Sequence, residues 1–250
     1  MHGIVRIAAA GDIHCRPEDR ERVRAEFDAL RGETDLVLLA GDLTTHGEPE
    51  QAAVLAEACA DLGAPVVAVL GNHDWHCDRA DEVTAVLRDA GITVLDRGHC
   101  VARVAEDVEV GIVGAKGFVG GFDGSHLPDF GEPLLRAVYR ETSADVEALR
   151  EGLRAVALCP VRIVLLHYAP TDDTLAGEPP GIWPFLGTDR LAAPIAEHEP
   201  DLVLHGHAHA GTFEGSIGGV PVRNVSVPVL QRPFWRFELP VPERAPTPIH

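Results

Sequence analysis

The residues able to do chemistry fall in five short clusters: Asp12-Ile13-His14, Gly41-Asp42, Gly71-Asn72-His73-Asp74, His167 and Gly206-His207-Ala208-His209. Asp and His two positions apart at a strand end can point the same way and chelate one ion, and His207 with His209 repeats that spacing. A carboxylate between two such sets can bridge two cations. The ligand set read from these clusters is Asp12, His14, Asp42, Asn72, His167, His207 and His209. It mixes oxygen and imidazole nitrogen and holds no thiolate, which suits two divalent ions such as Mn, Fe or Zn. Two such ions roughly 3.5–4 Å apart can hold a hydroxide and clamp a phosphoryl group during in-line displacement. His73 is left over, and beside Asn72 it is placed to protonate a leaving oxygen.

Each cluster alone is weak. GD and GNHD are most often turn chemistry, a single His at a strand end is usually a satisfied polar group, and HxH is common. The argument rests on order, because each cluster follows an apolar run and in four of the five a Gly (Gly11, Gly41, Gly71, Gly206) stands directly before the first ligand candidate, where the chain must turn and Gly allows a positive φ and close backbone approach.

Those runs are the elements that position the clusters. Ile4–Ala9, Asp35–Ala40, Pro65–Leu70, Val161–Leu166 and Asp201–Leu204 read as buried strands. Helical spacing over 17–30 and 50–62 separates the first three, and a third helical stretch over 81–90 follows them, as βαβ units require. Short strands follow at 93–95, 100–104 and 108–113, then a Gly-rich loop at 114–131 and one long helix over 132–156 with Leu134, Val138, Val146, Leu149 and Leu153 as its apolar face. A helix at 189–198 precedes the last His cluster, and short strands are expected around 211–213, 221–225 and 234–239. In open α/β sheets ligands bind beyond the carboxyl ends of the strands, so five strand ends deliver Asp, His and Asn toward one crevice.

The ordered set resembles the calcineurin-like metallophosphoesterases, over about residues 4–210. The resemblance implies an α/β fold: a four-layer sandwich of two mainly mixed β-sheets flanked by helices, in a single domain over 1–239 with a Pro-rich tail over 240–250. It implies a dinuclear centre in which Asp12, His14 and His209 hold one ion, Asn72, His167 and His207 hold the other, and Asp42 bridges. His73 becomes the acid or phosphate-orienting residue, paired with Asp12 or a nearby acid, and Asp74 beside it is expected to be catalytic. The protein Ser/Thr phosphatases of the family carry GDxxDRG and GNHE. Gly41-Asp42-Leu43-Thr44-Thr45-His46-Gly47 lacks their phosphate-gripping Arg, and GDLT with GNHD is similar to the smaller bacterial phosphodiesterase-like members.

The expected activity is hydrolysis of a small phosphodiester, a cyclic nucleotide among the candidates. The alternatives are a phosphomonoesterase and, ranked lower, a non-catalytic binding module. Candidates for substrate or supporting contacts are His46, His76, Phe118, Phe122 and His205, each with an ordinary surface or core role as its rival. The 114–131 loop reads equally as a lid or as a connector. Trp183 is a candidate wall, Asn224, Lys116 and Arg232 are further neighbours, and Phe234, Trp235 and Phe237 read as core or interface.

Composition narrows the partners. The chain of 250 residues has a formal charge of −18, with 20 Arg and a single Lys, Lys116. Long nucleic acid is therefore a poor partner. Thirteen His stand against two Asn, and the clusters above account for His14, His73, His167, His207 and His209 and for Asn72. There is no signal-like or membrane-length apolar run, and five Cys lack framework spacing, which points to the cytoplasm with reduced thiols. Cys15 and Cys77 are a minor candidate for a regulatory disulfide, and a homodimer is a candidate assembly.

Overall fold

The computed structural model describes residues 3–104 and 107–242. Eleven strands among them form two sheets. The first holds β1 (Ile4–Ala10), β2 (Leu36–Ala40), β3 (Val66–Val69) and β4 (Thr93–Leu95). The second holds β5 (Gly98–Arg103), β6 (Glu109–Ala115), β7 (Val161–Leu166), β8 (Leu202–His205), β9 (Glu214–Ile217) and β10 (Val220–Asn224), and the chain then returns to the first as β11 (Trp235–Pro240). The strand orders are β11-β1-β2-β3-β4 and β5-β6-β7-β8-β10-β9. β1 to β4 run parallel, as do β6, β7, β8 and β10, while β11, β5 and β9 are antiparallel edges.

The near-continuous apolar runs are explained by this layering, since both faces of each sheet are covered. Along β2, Leu36, Leu38 and Ala40 face the second sheet and meet Ile112, Ile163 and Leu204. Val37 and Leu39 face the other way, onto α1 (Arg20–Asp28), α2 (Pro49–Cys59) and α3 (Ala80–Asp89) through Phe27, Leu55 and Leu87. On the far side of the second sheet, Val113, Val164 and Val203 pack on α4 (Pro133–Ala155) through Leu149 and Leu153. Each fully buried Leu or Val here contributes about 1.5–3 kcal/mol. The result is the expected four-layer α/β sandwich in one domain.

Two local expectations are corrected. Leu134 is 78% exposed, so the packed face of α4 begins later in the helix. The strand expected at 211–213 is β9, three residues on. Gly211 lies where a Cβ would strike the Thr174 carbonyl, and the ladder starts only beyond that close crossing. Sequence spacing did not show three short helices, α5 (Trp183–Leu186), α7 (Val227–Leu230) and a 3-10 turn at Asp172–Leu175; the other late helix, α6 (Ala192–His198), was expected. The expected tail begins at Pro240, which still pairs with Ile4 in the β1–β11 ladder, and residues 243–250 lie outside the described residues.

Register aligns the strand ends. Ala10 pairs with Leu39, Ala40 with Val69, and Leu165 with Leu204. The two sheets are tied together at this edge, where Gly11 N–H donates to the Val225 carbonyl and Val227 N–H donates to that of Gly11. The loops carrying the five clusters therefore leave side by side.

Candidate metal centre

The loops turn sharply, and the turn is made by the ligand candidates themselves. Asp12 (φ 58°), His14 (φ 49°), Asp42 (φ 49°) and His207 (φ 69°) all adopt the left-handed region. Non-glycine residues hold that conformation only where the surroundings over-determine it, and such strain clusters at functional sites. The neighbouring glycines serve mainly another purpose. A Cβ on Gly71 would overlap Asp42 Oδ1, one on Gly206 would overlap Asp12 Oδ2, and one on Gly41 would sit 2.6 Å from His167 Nδ1. Gly is needed so that carboxylates and imidazoles can lie against the backbone. Of the four Gly that precede a ligand candidate, only Gly41 has positive φ, at 81°.

Three groups of side chains have ligand atoms within 4.8 Å of one another: Asp12, His14 and His209; His14, Asp42 and His73; and Asp42, His167 and His207. Asp42 belongs to the second and third. Its Oδ2 lies 3.8 Å from His14 Nε2, and its Oδ1 lies 3.4 Å from His167 Nε2. Asn72 joins the third group through Oδ1, 2.9 Å from His167 Nε2. The structure thus brings together all seven ligand candidates.

The donor set fits cations. His167 Nδ1 must donate to the Ala40 carbonyl at 2.9 Å, which leaves Nε2 of the neutral ring as an acceptor. That nitrogen faces two further acceptors, Asn72 Oδ1 and Asp42 Oδ1. Three lone pairs converging without a hydrogen is an arrangement a cation satisfies. His207 shows the same logic, because its Nε2 faces the Phe185 carbonyl at 3.2 Å and leaves Nδ1 as the free acceptor. Burial pushes its pKa down to about 3, so the ring is neutral and able to ligate at pH 7. Burial would raise the Asp12 pKa, but the hydrogen bonds it accepts from the His209 ring and, at 2.9 Å, from the His207 backbone N–H bring it down to about 2.

His73 stands at the edge of this cluster. Its backbone N–H donates to Asp42 Oδ1 at 2.8 Å, and its Nδ1 donates to the Thr45 carbonyl at 2.8 Å. The expected pairing with Asp12 or another acid is replaced by that carbonyl, which still fixes the ring and aims Nε2 toward Asp42 Oδ2, 3.9 Å away. The same position puts His73 within ligand reach of His14 and Asp42.

Asp74 does not share the crevice. It is fully buried and accepts four hydrogen bonds, from Leu43 N, Thr44 N, Thr44 Oγ1 and Gly71 N, at 2.7–3.2 Å. It holds the loop carrying Asp42 against the loop carrying Asn72. Burial pushes its pKa up, against the pull of those hydrogen bonds. This carboxylate is a positioning group, which corrects its place beside His73 as a catalytic residue.

The other candidates divide. The His76 ring packs against that of His73, tilted by 40° with centres 4.2 Å apart. His46 follows the Asp42 turn, and its N–H donates to Gln51 Oε1. Phe118 lines a cavity beside Asn72. Phe122 is buried among Ala169, Leu175, Leu186 and Ala208, so it faces a small core and no substrate, which corrects its candidacy. His205 is likewise buried, bonds Thr174 Oγ1 at 2.9 Å and is held neutral by burial, with a pKa of about 4. Trp183 packs on the Phe122 core, and Asn224 supports the His207 turn by donating to the Ala208 carbonyl at 2.7 Å. The 114–131 loop is tied down: Gly120 and Gly121 donate to the Pro184 and Gly187 carbonyls, and Thr142 Oγ1 donates to that of Val119. Cys15, buried, and Cys77, exposed, are both free thiols. Trp75, Arg97, Asp145 and Tyr168, which belong to no sequence motif, line the cavity with Phe118.

Comparison with known proteins settles the family. The model of the calcineurin-like phosphoesterases matches residues 5–211. The chain belongs to the calcineurin-like phosphoesterases. Its class of reaction is therefore metal-dependent phosphoester hydrolysis. No curated protein matches this phosphoesterase in sequence. In fold it is similar to the phosphopantetheinyl hydrolase PptH of Mycobacterium tuberculosis (TM-score 0.64, 16% identity, 96% of this chain and 98% of that one). It is also similar to TT1561 of Thermus thermophilus (TM-score 0.59, 17% identity, 94% and 99%). GAP50, the anchor in the inner membrane complex of Plasmodium, shares the fold as well (TM-score 0.57, 12% identity, 90% and 72%). No helix among the described residues of this phosphoesterase is long and apolar enough to cross a membrane.

Proposed function

We propose that this phosphoesterase hydrolyses a small phosphodiester at a dinuclear centre. Asp12, His14 and His209 would hold one divalent ion, Asn72, His167 and His207 the other, and Asp42 both, with Mn, Fe or Zn as the candidates. When bound, such ions activate water and neutralise charge on the phosphoryl group.

The observation that carries the diester reading is a pair of cavities, one at each end of the ligand cluster. One, about 420 Å³, is bounded by Asp12 and His14, with Phe27 and Phe234 in its walls. The other, about 460 Å³, is bounded by Asn72. A diester carries two arms on its phosphorus and a monoester one, and two cavities give both arms a place.

The residues act around that phosphorus. His73, fixed through Nδ1, presents Nε2 to the crevice and donates a proton to the leaving oxygen. The strained turns at Asp12, Asp42 and His207 hold donors in position before substrate arrives, so little reorganisation is needed during reaction. Five free thiols support a reducing, cytoplasmic setting.

The test is a panel on the Mn²⁺-loaded protein: bis(4-nitrophenyl) phosphate, 4-nitrophenyl phosphate, and 2′,3′- and 3′,5′-cyclic nucleotides. Diesters are expected to turn over faster than the monoester. Faster hydrolysis of the monoester than of every diester would reverse the reading.

A further inference from the structure

The cavity beside Asn72 has a chemistry of its own. Three of its walls are aromatic: Trp75, Phe118 and Tyr168. Trp75 is 44% exposed, well above what is usual for an indole. Tyr168 is buried and packs its ring against Phe118 at 6.0 Å and His207 at 4.3 Å, so this wall is continuous with the ligand cluster.

Lys116, the one lysine of the chain, also lines the cavity. Its ammonium sits 4.4 Å from the Phe118 ring centre and 5.1 Å from that of Tyr168. Among the described residues its only hydrogen bond is to the Gly117 carbonyl at 3.1 Å. An ammonium has three N–H donors, so two are free to meet an acceptor in the cavity. Arg97 is different. Its guanidinium is occupied by Asp145, at 2.7 Å, and by Glu141. With Asp96 added, the cavity holds three carboxylates against two cations. A further negative charge is unwelcome there, and a flat neutral group is not.

We infer that this cavity is the subsite for one arm of the substrate, and that it selects a flat, uncharged arm carrying an acceptor atom for Lys116. The inference rests on the phosphodiester reading and deepens it. Trp75 and Phe118 cover the faces of the arm, Tyr168 closes the end toward His207, and the Lys116 ammonium donates to the acceptor. An aromatic contact of this kind contributes about 0.5–1.5 kcal/mol beyond area burial, up to about tenfold in affinity for each wall.

Binding and turnover test it together on the full-length, Mn²⁺-loaded protein. Calorimetry compares methylphosphonate, phenylphosphonate and 4-acetylphenylphosphonate. Affinity is expected to rise about tenfold from methyl to phenyl and to rise again for the acetyl acceptor. Trp75→Ala and Phe118→Ala should each erase most of the first gain, and Lys116→Met should erase the second while keeping the first. In parallel, kcat/KM for methyl 4-nitrophenyl phosphate, whose single flat arm carries an acceptor, should fall about tenfold in Trp75→Ala and should fall also in Lys116→Met. Phosphonates that bind with equal affinity, or a preference that survives all three substitutions, would overturn the subsite while leaving the diesterase reading intact. If no phosphonate binds and no ester is cleaved, the diesterase reading fails and the subsite falls with it. Circular dichroism of each variant separates loss of fold from loss of contact.

Discussion

His167 Nε2 faces Asn72 Oδ1 at 2.9 Å while the other nitrogen of the same ring donates to the Ala40 carbonyl. An acceptor looks at an acceptor across a buried gap, and Asp42 Oδ1 completes the triangle at 3.4 Å. If this is the second ion site, His167→Gln should reduce bound metal from two equivalents per chain to one. Metal analysis after dialysis against Mn²⁺ measures it. Two equivalents retained would remove His167 from the ligand set, and loss of both would show that the sites fill only together.

His73 lies within reach of both roles, ligand and proton donor. The Nδ1 hydrogen bond to Thr45 fixes a ring whose Nε2 points into the crevice: the imidazolium form donates there, whereas the neutral form presents an acceptor, as His167 does. His73→Ala is expected to keep its metal and lose about 10²–10⁴-fold in kcat. The loss should be steepest for esters with alkoxide leaving groups and shallow for 4-nitrophenolate, which departs without a proton. A variant that sheds an ion would instead make His73 a ligand.

Away from the crevice, Arg6 and Asp35 supply a pH-dependent contribution to stability. Asp35 Oδ1 accepts from Arg6 Nη2 at 2.7 Å, and Oδ2 accepts from the backbone N–H and Nε of Arg6 at 2.8 and 3.1 Å. The Arg6 side-chain hydrogen bond holds the Asp35 pKa below its ordinary value, against the opposing effect of burial. A carboxylate with a depressed folded-state pKa stabilises fully above its unfolded pKa, about 3.9, and loses that contribution as pH falls through the folded value. Arg6 is half-exposed, so screening limits the contribution to about 1 kcal/mol. Asp35→Asn should therefore be about 1 kcal/mol less stable than the parent at pH 7 in urea unfolding. The difference should shrink as pH drops below about 4, again because of that pKa. A difference independent of pH would assign the contact to shape rather than charge.

Much of this site was legible because ligands at the ends of parallel strands must sit in short, ordered motifs. Asp12, Asp42, Asn72, His167 and His207 each follow an apolar run; the register of β1, β2 and β3 aligns the first three and that of β7 and β8 the last two. The glycines were read half correctly. Close approach explains Gly71 and Gly206, whereas the positive φ falls on the adjacent Asp and His, which a residue list does not show. The aromatic cavity was hidden because its walls come from distant segments and carry no shared spacing. A weak signal existed in Asp145, a carboxylate four residues before Leu149 on the buried side of α4, where an unpaired charge is costly and a partner such as Arg97 must be found. Leu134 misled for the opposite reason, since helical periodicity continues past the point where the second sheet stops covering the helix.

Asp74 gives the sharpest separation of positioning from catalysis. Its two oxygens accept from Leu43, Thr44 and Gly71 in a site sealed from water. Asp74→Asn replaces one acceptor with an N–H₂ group that faces N–H donors and leaves them unsatisfied, at about 1–3 kcal/mol for each buried group. A loss of about 3 kcal/mol would lower Tm by roughly 6–12 °C in a chain of this size. Activity should fall with it, because the loops of Asp42 and Asn72 lose their tie, and the fall should be partly reversed by raising Mn²⁺, which favours the assembled loops by mass action. If Tm is unchanged while kcat collapses at every Mn²⁺ concentration, Asp74 takes part in proton transfer and the clamp is incidental.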